Sequence, residues 1–284
     1  MPLRSTTRRA ATLLVKNPAL FCRIALAKLN TARPMPHLPA RCQIGDIVFE
    51  CDLRHYRGTA PMYFGSYALL VIQAMERILK PGGVFFDVGA NIGYLSAVGA
   101  KLVGTQGQVH SFEPIPDYHA RLRRLVRLNP KYTIVANRCS VGEERGIGTI
   151  YVTREPGQNT MIPDYQSRSE ITSTLQVPVM RLESYIQERS LREISLIKID
   201  AEGFELPILK GMEKYFETSC DRPPILCEIA PRAYSLLGRS PEDLATYMAK
   251  YGFAPFDLID GSTPVNIRSL THVEDVLFLS KRGA

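Results

Sequence analysis

The stretch GGVFFDVGANIGYLSAVGAKL, residues 82–102, runs from apolar residues into an acid, then a glycine-bearing turn, then a helical pattern. A short continuous apolar run bounded by glycines reads as a strand covered on both faces, the habit of parallel sheets. Strand, tight turn and helix in that order make it one unit of a βα repeat, which constrains the rest of the chain to the same scheme. Further strand signals follow at GQVHSFEP (107–114), YTIVANRC (132–139), ISLIKID (194–200) and PILCEI (224–229). Helical patterns separate most of them, as at Asp117–Leu128 and Phe204–Tyr215, and IVFECDL (47–53) with a helix over 67–79 precedes them. Ser240-Pro241-Glu242-Asp243 caps a helix reaching Tyr251. FAPFDLI (253–259) and EDVLFLS (274–280) leave no room between them for a crossover helix, so they pair antiparallel. The reading is α/β, a mostly parallel sheet with helices on both faces and ligands at the strands' carboxyl ends.

The turn after Asp87 excludes several ligands. A dinucleotide fingerprint needs G-x-G-x-x-G, and counting from Gly89 those positions hold Asn91 and Tyr94. The P-loop G-K-[ST] is also missing. What remains is Asp87 at a strand end with Gly89, Asn91 and Gly93 feeding a helix N-terminus. That arrangement suits an ammonium and a carboxylate together, the two charges of an amino-acid moiety. Glu113, ending the next strand 24 residues after Gly89, falls where this architecture places a ribose-binding acid. An amino-acid end plus a ribose describes S-adenosylmethionine.

With FDVGANIGYLS (86–96), FEPIP (112–116), LESYI (182–186) and ISLIKIDAEGFELPILKGM (194–212), the chain resembles FkbM-type methyltransferases over roughly residues 80–280. The resemblance implies a class I, Rossmann-like methyltransferase fold, with a seven-stranded sheet whose last strand is antiparallel, and O-methylation of hydroxyls on sugars, glycans or polyketides. It places Asp87, Gly89, Asn91 and Gly93 at the methionine end of S-adenosylmethionine, Glu113 at the ribose and Ser140 at the adenine. Asp200 and Glu202 then face the methyl group and the acceptor. Three positions depart from the family pattern: Val141 stands where an acid often follows the Ser, Glu183 where Asp is usual, and Ala68 where Glu is common.

Methyl transfer to a hydroxyl needs donor and acceptor aligned at roughly 3 Å and a group that removes the proton. Asp200 is the first candidate base and Glu202 the second, and a strand-end pair spaced i, i+2 could instead hold a divalent ion. One of the two acids could equally cap the helix near Phe204. Glu228, Arg232 and Tyr234 are read as acceptor-orienting residues or as a surface loop. Residues 154–176 are read as an active-site lid or an exposed hairpin, with Asn, Gln and hydroxyl side chains that suit a polyhydroxylated acceptor. Two other readings stay open: a methyltransferase-like binding module without turnover, and a nucleotide-dependent oxidoreductase.

Charge is unevenly placed. The formal net charge is +7, and residues 1–36 hold seven bases and no acid, so the rest of the chain balances 28 bases with 28 acids. A neutral body, and D-A-E-G in place of the [DN]-P-P-[YF] of base methylases, argue against a nucleic-acid partner. Residues 1–40 are read as a basic helical extension with a Pro-rich linker, and 41–284 as the methyltransferase domain. Leu20, Phe21, Ile24, Ala27 and Leu29 opposite Arg23 and Lys28 allow peripheral membrane contact through residues 1–30, an organelle-targeting leader or a packed helix. The six cysteines form no C-x-x-C pair, which suits free thiols and a cytoplasmic body. The five histidines show no ligand spacing. They are assigned mostly to solvent, with His55 the one retained as a site candidate.

Overall fold

Phe85 and Phe86, adjacent in the opening motif, are both fully buried yet pack into different hydrophobic clusters. Successive side chains on a strand point to opposite faces, so an uninterrupted apolar run belongs to a sheet covered on both sides. The computed structural model describes residues 39–52, 67–154 and 157–280. Its first half runs β1 (Pro39–Ile44), β2 (Ile47–Asp52), α1 (Leu69–Ile78), β3 (Val84–Val88), α2 (Tyr94–Val103), β4 (Gln108–Phe112), α3 (Pro116–Leu128) and β5 (Thr133–Asn137). Then come β6 (Ser140–Val141), β7 (Gly146–Thr153), β8 (Ile171–Met180), α4 (Leu182–Glu188), β9 (Ile194–Ile199), α5 (Glu205–Lys210) and α6 (Glu213–Thr218). The chain closes with β10 (Ile225–Ile229), α7 (Pro231–Leu236), α8 (Pro241–Lys250), β11 (Phe253–Phe256) and β12 (Glu274–Ser280).

Seven strands form the main sheet in the order β11-β12-β10-β9-β3-β4-β5. Its strands pair in parallel except at β12, which runs antiparallel to both β10 and β11. This is the class I methyltransferase arrangement expected from the sequence. One face is covered by α1, α2, α3 and the β1–β2 hairpin, the other by α4 to α8. From β3 the chain steps outward through β4 to β5 and then returns to β9 on the other side of β3. The crevice between β3 and β9 is therefore the topological switch point, where open α/β sheets bind ligands.

Several elements differ from the sequence reading. Residues 47–53 do not join the main sheet; β2 pairs with β1, and β1 starts at Pro39, inside the expected linker. The helix expected over Phe204–Tyr215 is two helices, because Gly211 closes α5 with its backbone against Gly142, where a Cβ would lie 2.2 Å from the Gly142 carbonyl oxygen. The strand from Phe253 stops at Phe256, since the Asp257 carboxylate accepts from the Ile259 and Asp260 amides and turns the chain. Arg232 and Tyr234 lie on α7, not in a loop. His110 is buried in β4 rather than solvated, with Nδ1 2.8 Å from the Tyr185 hydroxyl. His55 and residues 1–30 lie outside the described residues. Ser240 and Asp243 form the expected capping box of α8.

The strand ends at the switch point approach so closely that only glycine fits after β3. Gly89 has φ +77°, and a Cβ there would lie 1.9 Å from the Asp200 carbonyl oxygen. Gly89→Ala should therefore cost at least about 2 kcal/mol, from left-handed strain plus a forced separation of β3 and β9. Urea unfolding should show a lower midpoint at an unchanged slope.

Candidate active site

At the switch point the carboxyl ends of β3 and β9 share one buried cation. Lys198 is 4% exposed. Its Nζ lies 3.1 Å from Asp200 Oδ2 and 3.5 Å from Asp87 Oδ1, and donates to the Gly89 carbonyl at 3.4 Å. Although burial alone would lower its pKa, the carboxylates of Asp200 and Asp87 hold the ammonium above the ordinary lysine value. Asp87 is fully buried; its Oδ2 accepts from Ser96 Oγ of α2 at 2.6 Å, and Ser96 contacts Ser111 of β4 at 2.8 Å. Asp87 therefore sits beneath the turn and not on the cavity wall. Its Oδ1 accepts no hydrogen bond among the described residues.

The turn above it is held by a second acid. Glu113, 5% exposed, accepts from the Asn91 amide through Oε2 and from the Ile115 amide through Oε1, each at 2.8 Å. Burial pushes its carboxyl up to about 7, against those two hydrogen bonds. Asn91 takes a left-handed conformation, φ +52°, and Gly93 begins α2 at φ +90°. A Cβ on Gly93 would meet Leu122 and Leu125 of α3 at 2.7 and 3.0 Å, so this glycine sets how close the two helices lie. Gly89, Asn91, Glu113 and Ser140 line one cavity, whereas Gly93 is packed behind it. The Ser140 hydroxyl points at the Met161 sulfur, 2.9 Å away.

The other half of the same cavity is acidic. Asp200, Glu202 and Glu228 each place a carboxylate oxygen within 4.8 Å of the others, and all three line the cavity with Tyr67. Burial, then Asp200 and Glu205, push Glu202 up to about 8, and Asp200, burial and Asp275 push Glu228 up to about 10. An oxygen-only donor set of this kind is also what a hard divalent cation takes. Neither Asp200 nor Glu202 caps α5. The turn is held by Glu205, fully buried, whose Oε1 accepts from the Gly203 amide at 2.7 Å and whose Oε2 accepts from the Tyr234 hydroxyl at 3.1 Å. That leaves Glu202, strained at φ +49°, to face the cavity.

For residues 154–176 the strand pairing bears out the hairpin reading. β7 and β8 make a hairpin, and its connection returns to the site. Thr160 Oγ1 donates to the Glu202 carbonyl at 3.0 Å, and Gly157, Asn159, Thr160 and Met161 line the cavity. Sequence reasoning missed Lys198, Glu205 and Tyr67 as parts of this site. Lys198 stood in plain view in K-I-D, two residues before Asp200 and hence on the same side of the strand.

The methyltransferase FkbM domain model matches residues 87–255. The chain belongs to the FkbM methyltransferase family. Among curated relatives, 31-O-demethyl-FK506 methyltransferase FkbM of Streptomyces tacrolimicus is 35% identical over 166 residues, 48% of this chain and 61% of that one. Methyltransferase sdnD of Sordaria araneosa is 28% identical over 155 residues, 45% of this chain and 60% of that one. The matches thus span about three fifths of these relatives' length. Among solved structures, M. jannaschii TYW2 in complex with AdoMet aligns at 13% identity with a TM-score of 0.41, over 86% of this chain and 85% of that one. That likeness is too distant to bear on the chemistry. No helix among the described residues is long and apolar enough to cross a membrane.

Two measurements follow from the site's charges. Removing one partner of a buried ion pair strands the other, so Lys198→Met should cost about 3–5 kcal/mol in urea unfolding, and adding Asp87→Asn should recover part of it. Glu113, Glu202, Glu205 and Glu228 all bind their proton more tightly when folded than at the ordinary value of 4.5. The stability they lend is complete below about 4.5 and is lost as pH rises through about 7 to 10. His110, pushed down to about 4 by burial, acts the other way and removes stability as pH falls below 6.5. Four carboxyls outweigh one imidazole down to about pH 4.5, so the melting temperature of the ligand-free chain should peak near that value. Glu228→Gln should flatten the alkaline fall, raising the value at high pH by roughly 4 °C.

Proposed function

We propose that this chain is an S-adenosylmethionine-dependent O-methyltransferase acting on a hydroxyl of a sugar, glycan or related polyhydroxylated small molecule. The observation that carries the reading is a single cavity with a glycine turn and Glu113 at one end and three carboxyl groups at the other. Glu113, fixed by two amide donors, keeps lone pairs for the two hydroxyls of a ribose. Gly89 and Asn91 would border the methionine end and Ser140 the adenine, with Asp87 and Lys198 supporting the turn from below. S-adenosylmethionine, when bound, supplies a methyl group on a positively charged sulfur. The Streptomyces relative, named for an O-demethyl compound, supports oxygen as the atom methylated.

The acceptor end offers two kinds of carboxyl group. Asp200, in contact with Lys198, would take the hydroxyl proton. Glu202 and Glu228, both pushed well above the usual carboxyl range, can donate hydrogen bonds as neutral acids and orient neighbouring hydroxyls. Asn159 and Thr160 from the hairpin add neutral polar groups to the same wall. A polyhydroxylated acceptor matches this mixture of donors and acceptors. If a divalent ion joins the three carboxylates, it would acidify the hydroxyl in place of the base.

The test is transfer of labelled methyl to free and lipid-linked glycans, alongside calorimetry with S-adenosylhomocysteine. Asp200→Asn should lower kcat by about 10² or more while leaving the nucleoside's affinity within a few-fold. Glu113→Gln should weaken that affinity by about 1.5–3 kcal/mol. Unchanged transfer by Asp200→Asn would remove Asp200 as the base. Transfer abolished by EDTA and restored by Mg²⁺ would make the carboxyl cluster a metal site. Cofactor binding with no transfer to any acceptor would support the silent binding module.

A further inference from the structure

The outer side of α3 is basic beyond what its own packing uses. Leu122 and Leu125 face the core, while Arg121, Arg123, Arg124 and Arg127 are exposed within two turns. Arg124 shares Glu50 of β2 with Arg41 of β1, and Lys131 just beyond the helix pairs with Asp46. Arg121, Arg123 and Arg127 have no ion pair among the described residues. Arg123 and Arg127 stand at i, i+4, and Arg121 with Arg124 and Arg124 with Arg127 at i, i+3, spacings at which like charges weaken a helix. The one acid on the helix is Asp117, in its first turn.

Two further observations say what covers this face. β2 packs on α3, and its partner β1 begins at Pro39, two residues before Arg41. In sequence, the 36-residue stretch with seven bases and no acid ends three residues ahead of β1. That stretch spaces Leu20, Phe21, Ile24 and Leu29 among its bases. A bilayer interface takes both apolar side chains and cations, whereas a nucleic-acid backbone takes only the cations.

We propose that the outer face of α3, with the β1–β2 hairpin beside it, docks on an anionic phospholipid bilayer. Tyr118 and Ile115, at the start of the same helix, line the cavity, so docking through α3 brings the cavity close to the lipid surface. The proposal is independent of turnover and can be read without it.

The test is co-sedimentation of the full chain with vesicles of phosphatidylcholine alone or with about 30% phosphatidylglycerol, at low and high salt. The parent chain should sediment with the anionic vesicles and be released by salt. The triple variant Arg121→Gln/Arg123→Gln/Arg127→Gln should lose about fivefold in partitioning per charge, on the order of a hundredfold in all. It should keep the parent melting temperature, because all three side chains are exposed. Replacing the same three by Lys should retain binding, since charge and not shape is used. Equal sedimentation of the Gln variant and the parent would overturn the proposal. So would equal capture by neutral vesicles, or displacement from anionic vesicles by single-stranded RNA at equal phosphate concentration.

Discussion

One buried ammonium holds the site together. Lys198 lies between Asp87 at the end of β3 and Asp200 just past the end of β9, and the two strands are neighbours at the point where the sheet's order reverses. Two carboxylates this close would repel and splay the strand ends. A cation shared between them, with the Gly89 carbonyl as a third partner, turns that repulsion into a tie. Asp87 continues the network through Ser96 to Ser111, so β3, β4, β9 and α2 meet in one buried polar cluster. Such a cluster specifies one arrangement, because any slip of β9 against β3 would strand a charge in the core.

The rest of the acid is a cost the fold does not need. Glu202 and Glu228 lie near Asp200 with no second lysine beside them among the described residues, and burial and Asp200 push both up. Glu202 also takes a left-handed backbone, as does Asn91 on the opposite wall. Strain and unrelieved charge gathered around one cavity are expected of a functional site, since packing alone would have selected apolar residues there. Glu205 makes the contrast: it is fully buried, yet both its oxygens accept hydrogen bonds and its work is to shape the turn.

The sheet was legible because buried parallel strands leave long apolar runs, and VFFDV, ISLIKI and PILCEI are such runs. Helix ends were legible where a side chain makes the cap, as at Ser240, and illegible where backbone contact decides, as at Gly211. The β1–β2 hairpin was half visible. Its second strand alternates, but its first begins at a proline within a Pro-rich stretch, and its partner can be recognised only from the register. His110 was misjudged because nothing in its neighbourhood announces Tyr185, 75 residues away, as a partner.

The two ends of the cavity differ in kind, and that difference explains how much each discloses. The end proposed for the cofactor is built by backbone: a glycine forced by the Asp200 carbonyl, an amide pair aimed at Glu113, a helix spacing fixed by Gly93. Backbone demands restrict residue type, so they are written into a short contiguous motif. The end proposed for the acceptor is assembled from side chains that arrive by separate routes, Tyr67 ahead of α1, Glu228 from β10, and Asn159 and Thr160 from a hairpin inserted after β5. None of these positions has a local conformational requirement that would mark it in the sequence; only proximity in the folded chain joins them. Changing the hairpin connection would alter that wall and the surroundings of Ser140, whose hydroxyl meets Met161, while leaving the partners of Lys198 in place. With one end fixed by backbone and the other left to side chains, the proposed assignment lets the fold exchange acceptors while keeping one reaction.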